Sequence, residues 1–177
     1  DAMLAISGAM VVSSGGPALP LEYPENVSSL SPNAVNPPAF SLKKMRPTQE
    51  FERTVYLPVI RSSGQPGTAK LRDVFDFTQP AQMAGRRAET TVPTQALFLL
   101  NSDFIRARAA ELARRVGEGD GDPGDRIAAM WLHVLNRPVT PEERGEALAL
   151  IGSLPAGSAW TELAHALLSS NEFLMRL

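Results

Sequence analysis

Hydrophobic positions follow two regimes along this 177-residue chain. From Pro93 onward they recur at three- and four-residue intervals, the spacing that lines one face of a helix. Before that point they are scattered among proline, glycine, serine and asparagine. The second half therefore predicts helices, and much of the first half predicts an extended course.

In the second half the helix boundaries carry their own signals. Pro93 suits a first helical position, where the missing N–H is not needed, and Gln95 to Leu100 supply the body. Asn101-Ser102-Asp103 breaks this helix and caps the next. Across Phe104 to Val116, the residues Phe104, Ile105, Ala109 and Leu112 share a face. Gly117 to Gly124 reads as a loop. Asp122 caps a third helix with Pro123 at its first position, and Ile127, Met130, Trp131, Val134 and Leu135 form its apolar face. Asn136-Arg137-Pro138 stops it. Thr140-Pro141-Glu142-Glu143 is a capping box with proline at the first helical position. It opens a fourth helix that runs to about Ile151 and ends at Gly152. A fifth starts near Ser158, carries Trp160, Leu163, Ala164, Leu167, Asn171 and Leu174 on one face, and bends near Ser169-Ser170. The fold class expected is mainly α, a small bundle of about five helices over residues 92–177.

Ala2 to Val12 predicts a short helix weakened by Gly8, the remnant of a helix continued from an upstream part of a longer chain. From Ser13 the prolines remove donors and restrict their predecessors, so residues 13–52 are expected to form an extended Pro- and Ser-rich arm lying along the domain or a partner. Arg53 to Arg61 has the β-branched alternation of a strand, and Pro58 assigns it to an edge. Val74 to Phe77 is a second short extended piece. The expected organisation is a helical remnant at 1–12, the arm at 13–52, and a helical domain with a strand-containing lead-in at 53–177.

Composition narrows the function classes. Hydrophobic residues make up 44% of the chain and aromatics 6%, so the core must rest on Ala, Leu and Val. The net charge of -2 excludes a strong bulk field for nucleic acid or acidic membranes. Charge is uneven all the same: residues 43–115 carry an excess of Lys and Arg, and residues 116–177 an excess of Asp and Glu. This pattern reads as solvated helical surface. The basic stretch lacks the interleaved aromatics of a single-strand binder. No apolar run approaches the ~20 residues that span a bilayer. With zero cysteines, disulfides, thiolate metal sites and covalent c-type haem attachment are excluded, and no cofactor is expected on this chain.

Candidate chemistry is sparse. His133 and His165 are the only histidines; each sits beside the apolar face of its helix and reads as a surface residue. No G-x-S-x-G turn supplies a nucleophile. Arg86 and Arg87 have the fork geometry to grip a phosphate, sulfate or carboxylate. Thr90 and Thr91 add hydroxyl and amide donors at a helix start, and Gln95 lies nearby. The alternative is structural: the two arginines pin the proline-rich arm and pair with Asp73, Asp76 or Glu89. Glu118, Asp120, Asp122 and Asp125 cluster between Gly117 and Asp125. Calcium would suit such oxygens, with Asp120, Asp122 and Asp125 as the ligands. The order of acidic residues and glycine does not follow an EF-hand loop, however, and Asp122 already serves as a cap, so no metal site is assigned. Leu99, Leu100, Trp131 and Trp160 read as core. Asn26-Val27-Ser28 fits a glycosylation sequon.

Several segments resemble one family. They are DAMLAISG at Asp1 to Gly8, RTVYLPVIR at Arg53 to Arg61, VFDF at Val74 to Phe77, and GRRAETTVPTQALFLLNS at Gly85 to Ser102. LNRPVTPEE at Leu135 to Glu143 and LLSSNEFL at Leu167 to Leu174 follow in the same order. Together they resemble the C-terminal portion of the planctomycete cytochrome-associated domain of unknown function 1553. The resemblance implies an exported, periplasmic or otherwise extracytoplasmic protein with a redox neighbour, and it brings no catalytic residues. The function expected is a non-catalytic interaction subunit of a cytochrome-bearing electron-transfer or photosynthetic assembly, with any haem carried by a protein partner. The alternative is part of an exported enzyme acting on anionic polysaccharides, resting on Arg86, Arg87, Thr90 and Thr91.

Overall fold

The helical periodicity after Pro93 is realised in full. In the computed structural model the described residues are 1–12, 15, 51–56, 74–76, 85, 93–117 and 121–175. Among them the α-helices are α1 (Ala2–Ser7), α2 (Pro93–Asn101), α3 (Asp103–Gly117), α4 (Pro123–Leu135), α5 (Pro141–Ser153), α6 (Ala159–Leu168) and α7 (Asn171–Leu174). The protein is thus mainly α, as its patterning predicts.

Two compact units are present: Asp1–Met10 with Val92–Leu177, and Val11–Thr91. Helix α1 groups with the bundle because it packs on α3, with Leu4 and Ser7 buried. It also ends earlier than its apolar run suggests. Gly8 adopts φ 78, a left-handed conformation that closes a helix and that other residues enter only with strain. Arg115 Nη1 then donates to Ile6 O at 3.3 Å, placing a cation on the carbonyl end of α1.

The caps act where their residue types place them. Asp122 Oδ2 accepts from Gly124 N at 2.9 Å at the start of α4. Thr140 and Glu143 form the reciprocal box that opens α5. Helices α2 and α3 meet at a single residue, Ser102, whose N–H donates to Phe98 O and whose carbonyl accepts from Arg106 N. The bend expected near Ser169-Ser170 is a full break. Ser170 leaves the helical conformation at ψ 149 and re-caps α7, its Oγ accepting from Phe173 N.

The core forms between α3 and α6. Ile105, Ala109, Leu112 and Ala113 of α3 face Ala159, Leu163, Ala164, Leu167 and Leu168 of α6, and all are buried. Helix α4 adds Ile127, Met130, Trp131 and Val134. Helix α5 stays outermost, with Ala147 its one buried residue. Full burial contributes about 1.5–3 kcal/mol for each of Ile105, Leu112, Ile127, Met130 and Leu168. The exposed Arg106–Glu162 pair between α3 and α6, at 3.6 Å, adds at most about 1 kcal/mol. Apolar packing therefore decides the arrangement. Two core assignments need correction. Leu100 is 53% exposed, because α3 covers only one side of α2. Trp160 is half-buried, with the Arg126 guanidinium stacked 3.9 Å from its ring centre.

In the second unit, Val11 and Glu52 form a parallel bridge, with Val11 N donating to Phe51 O at 2.8 Å. Where Arg53 to Arg61 predicts a strand, Thr54–Tyr56 is a turn of 3-10 helix closed by Tyr56 N on Arg53 O at 2.9 Å. In the second extended piece, Val74 is helical and Phe75–Asp76 form a turn, with Asp76 at φ 55. Residues 57–61 and 77, and the arm apart from residues 15, 51 and 52, lie outside the described residues. No helix among the described residues is long and apolar enough to cross a membrane.

Substituting Leu112→Ala removes a fully buried side chain from the α3–α6 contact and is expected to destabilise the bundle by about 2–5 kcal/mol. Urea denaturation followed by circular dichroism measures it. A change below about 0.5 kcal/mol, the usual range for a surface substitution, would show that this contact is not the core.

Candidate functional site

The helical unit gathers charged side chains at the corner where α4 ends and α5 begins. Asn136 turns the chain there at φ 55, ψ 33, a conformation asparagine tolerates better than most residues. Its N–H donates to Leu132 O at 3.1 Å and closes α4. The turn sets Arg137 beside the first turn of α5. Thr140 N donates to Glu143 Oε2 at 2.9 Å, and Glu143 N donates to Thr140 Oγ1 at 3.3 Å.

Arg137 grips the same carboxylate. Its Nη1 donates to Glu143 Oε2 at 2.9 Å and its Nη2 to Glu143 Oε1 at 2.6 Å. Nη1 also reaches Pro138 O at 3.1 Å. The outer edge of the guanidinium holds a second carboxylate, Nε donating to Glu172 Oε1 at 2.6 Å and Nη2 to Glu172 Oε2 at 2.8 Å. A guanidinium has five N–H donors, and these contacts use them all.

The hydrogen bonds from Arg137 hold Glu143 far below the usual carboxylate range, and the Thr140 amide adds to the effect. The buried Trp131 indole N–H, which meets no acceptor at hydrogen-bonding geometry, adds a smaller pull in the same direction. Arg137 also holds Glu172 down, against desolvation and the neighbouring Glu143 charge. In return, the bonds to Glu172 and then to Glu143 raise Arg137 above its already high value. Side-chain exposure is 32% for Arg137, 29% for Glu143 and 47% for Glu172, so water and salt screen these attractions.

A second polar contact lies inside the bundle. His165 is buried, and its Nε2 lies 3.0 Å from Leu99 O. Ser169 Oγ donates to the same carbonyl at 3.4 Å. Leu99 lies near the end of α2, where carbonyls run out of helical partners, and α6 supplies them. With a carbonyl opposite, Nε2 is the protonated nitrogen. The surface position expected for His165 is therefore corrected: it lies on the side of α6 that faces the end of α2, while Glu162 and Ala166 take the solvent side. His133 is exposed.

The remaining candidates separate. Arg86, Arg87, Thr90 and Thr91 lie outside the described residues, while Gln95 is half-buried on α2. Asp120 also lies outside them. Asp122 caps α4, and Asp125 pairs with Arg144 at 3.4 Å, so these two carboxylates serve different partners. No group of three or more potential metal ligands comes together among the described residues. Asp73, Glu89, Glu118 and the Asn26-Val27-Ser28 sequon are outside the described residues.

Sequence reasoning passed over Arg137 and Arg108. For Arg137 the available signal was its place between a left-handed Asn136 and a capping-box glutamate. For Arg108 it was helical spacing. This buried arginine stacks over Phe104 at 5.3 Å to the ring centre and donates to Glu111 Oε1 at 3.1 Å, four residues back and three ahead. What these arrangements do chemically is fix helix ends and pack charge against aromatic rings.

Residues 1–151 match the family model described as "PSD1: Protein of unknown function (DUF1553)", and the chain belongs to that family. No curated protein and no solved structure matches.

Carboxylates held down in the folded state stabilise it above their unfolded pKa, about 4.3 for glutamate, and that contribution is lost as pH falls through the lowered values. The raised Arg137 stays charged throughout this range. Unfolding free energy is therefore expected to decline below about pH 4.3, with a shallower decline in Glu143→Gln. Urea titrations from neutral to strongly acidic pH measure the slope. An acid limb of equal steepness in the variant would remove the Arg137–Glu143 pair from the explanation.

Proposed function

We propose that this member of the DUF1553 family is a non-catalytic interaction domain of an exported, extracytoplasmic assembly. In this reading the assembly is a cytochrome-bearing electron-transfer or photosynthetic complex, and the haem belongs to a protein partner. The observation that carries the proposal is the use made of the polar side chains. Arg137 has every donor committed to Glu143, Glu172 and Pro138. His165 is committed to Leu99 O, and Asp122 to the Gly124 amide. Groups used in this way hold a shape, and a held shape is what a recognition surface needs. Leu97 and Leu100, 59% and 53% exposed on the outer side of α2, add adjoining uncharged surface of the kind that binding faces present. The cytochrome link is supported by the segments at Asp1 to Gly8, Gly85 to Ser102 and Leu135 to Glu143, which resemble exported cytochrome-associated proteins.

Affinity purification of the native protein, read by haem absorbance and peptide identification, tests the proposal. The expected result is recovery of a haem-carrying polypeptide that is lost when residues 13–47 are deleted. Recovery of the chain alone, or association unchanged by the deletion, would count against it. Saturable binding of a sulfated oligosaccharide, abolished by Arg86→Ala with Arg87→Ala, would favour the exported-enzyme alternative instead.

A further inference from the structure

Glu172 ties a separate element to the rest of the bundle. Helix α7 has four residues and packs on α4 and α6. We propose that α7 is a releasable strap, latched at the α4–α5 corner by the Arg137–Glu172 pair and able to undock while the other helices stay folded. This inference stands independently of the interaction role.

Little apolar burial holds the strap. Phe173 is half-buried, whereas Leu174 and Met175 are 36% and 47% exposed. Its hydrogen bonds are mainly internal. Ser170 Oγ accepts from Phe173 N, Leu174 N donates to Ser170 O at 3.3 Å, and Met175 N donates to Asn171 O at 2.8 Å. A hinge precedes it. Helix α6 completes its end with Ser169 N on His165 O and Ser170 N on Leu167 O, and Ser170 Oγ, which accepts from Phe173 N, also donates to Leu167 O at 2.7 Å; a hinge beyond Ser170 therefore leaves these bonds of α6 in place. The tie across to the bundle is the forked pair, at 2.6 and 2.8 Å.

Release strands no buried charge. Arg137 would keep both bonds to Glu143 and the one to Pro138 O. Its Nε and one Nη2 hydrogen would turn to water, which already reaches the side chain. Glu172 is 47% exposed while latched and rehydrates at once. Glu143 is different in kind, because its carboxylate also caps α5. One guanidinium thus holds a permanent partner on its inner edge and an exchangeable one on its outer edge. Undocking frees Phe173 and uncovers the sides of α4 and α6 beneath α7.

Amide hydrogen exchange of the full chain, resolved to single residues, tests the latch. In Glu172→Gln, protection at Phe173, Leu174 and Met175 is expected to fall about three- to fivefold, with α3 and α6 unchanged to within about 1.5-fold. In Glu143→Gln, protection is expected to fall at Thr140 while α7 stays held. The unmodified protein provides a second measurement that needs no variant. Raising salt from about 0.05 M to about 1 M should loosen the same three amides selectively. Unchanged protection in Glu172→Gln would overturn the proposal by showing that Phe173 packing holds the strap alone. A fall shared equally by α3, α6 and α7 would overturn it by showing that the strap opens only with the whole bundle.

Discussion

Everything in the helical unit depends on how closely α3 and α6 approach. Their facing surfaces are lined with small residues, Ala109 and Ala113 on one side and Ala159 and Ala164 on the other, all buried. Small side chains let two backbones come together while the larger Ile105, Leu112, Leu163 and Leu168 interlock around the contact. A chain with 6% aromatic residues has few large rings to fill a wide gap, so closeness substitutes for bulk. Helix α6 also meets α4, α5 and α7. It is therefore a largely buried helix, and its narrow solvent side around Glu162 and Ala166 follows from that position.

Polar groups are fitted to this helix in a subordinate way. His165 points from α6 at the end of α2 and supplies a carbonyl with the donor its own helix cannot. Arg137 joins the start of α5 to α7 at a corner that stays wet. The first contact is dry and insulated from salt; the second is exposed and screened. The same chain thus uses one polar contact to fix a core helix and another to hold a peripheral one.

Helix starts were the most legible part of the sequence, because each depends on residues within a single turn. Asp122 with Pro123, and Thr140 with Glu143, announced α4 and α5 with near-correct boundaries. Helix ends were less legible. Gly8 terminates α1 by its backbone conformation, whereas Gly152 is absorbed into α5, and glycine alone does not distinguish the two outcomes. Contacts distant in sequence were not legible at all. Glu172 lies 35 residues beyond Arg137, and Leu99 lies 66 residues before His165, so no local pattern pairs them. The strand expected over Arg53 to Arg61 lies mostly outside the described residues; within it Tyr56 N is satisfied locally by a 3-10 turn. Of the anion-binding candidates, only Gln95 falls among the described residues, half-buried on α2.

The position of α6 along the chain also bears on biogenesis. Late among the helices of the described residues, it is the one that α3, α4, α5 and α7 all contact. A ribosome must therefore deliver residues through Leu168 before Ile105 and Leu112 find cover. Until then the apolar stripes on α3 and α4 have only part of their cover, from α1, α2 and each other, the condition under which nascent chains recruit chaperones or stick to one another.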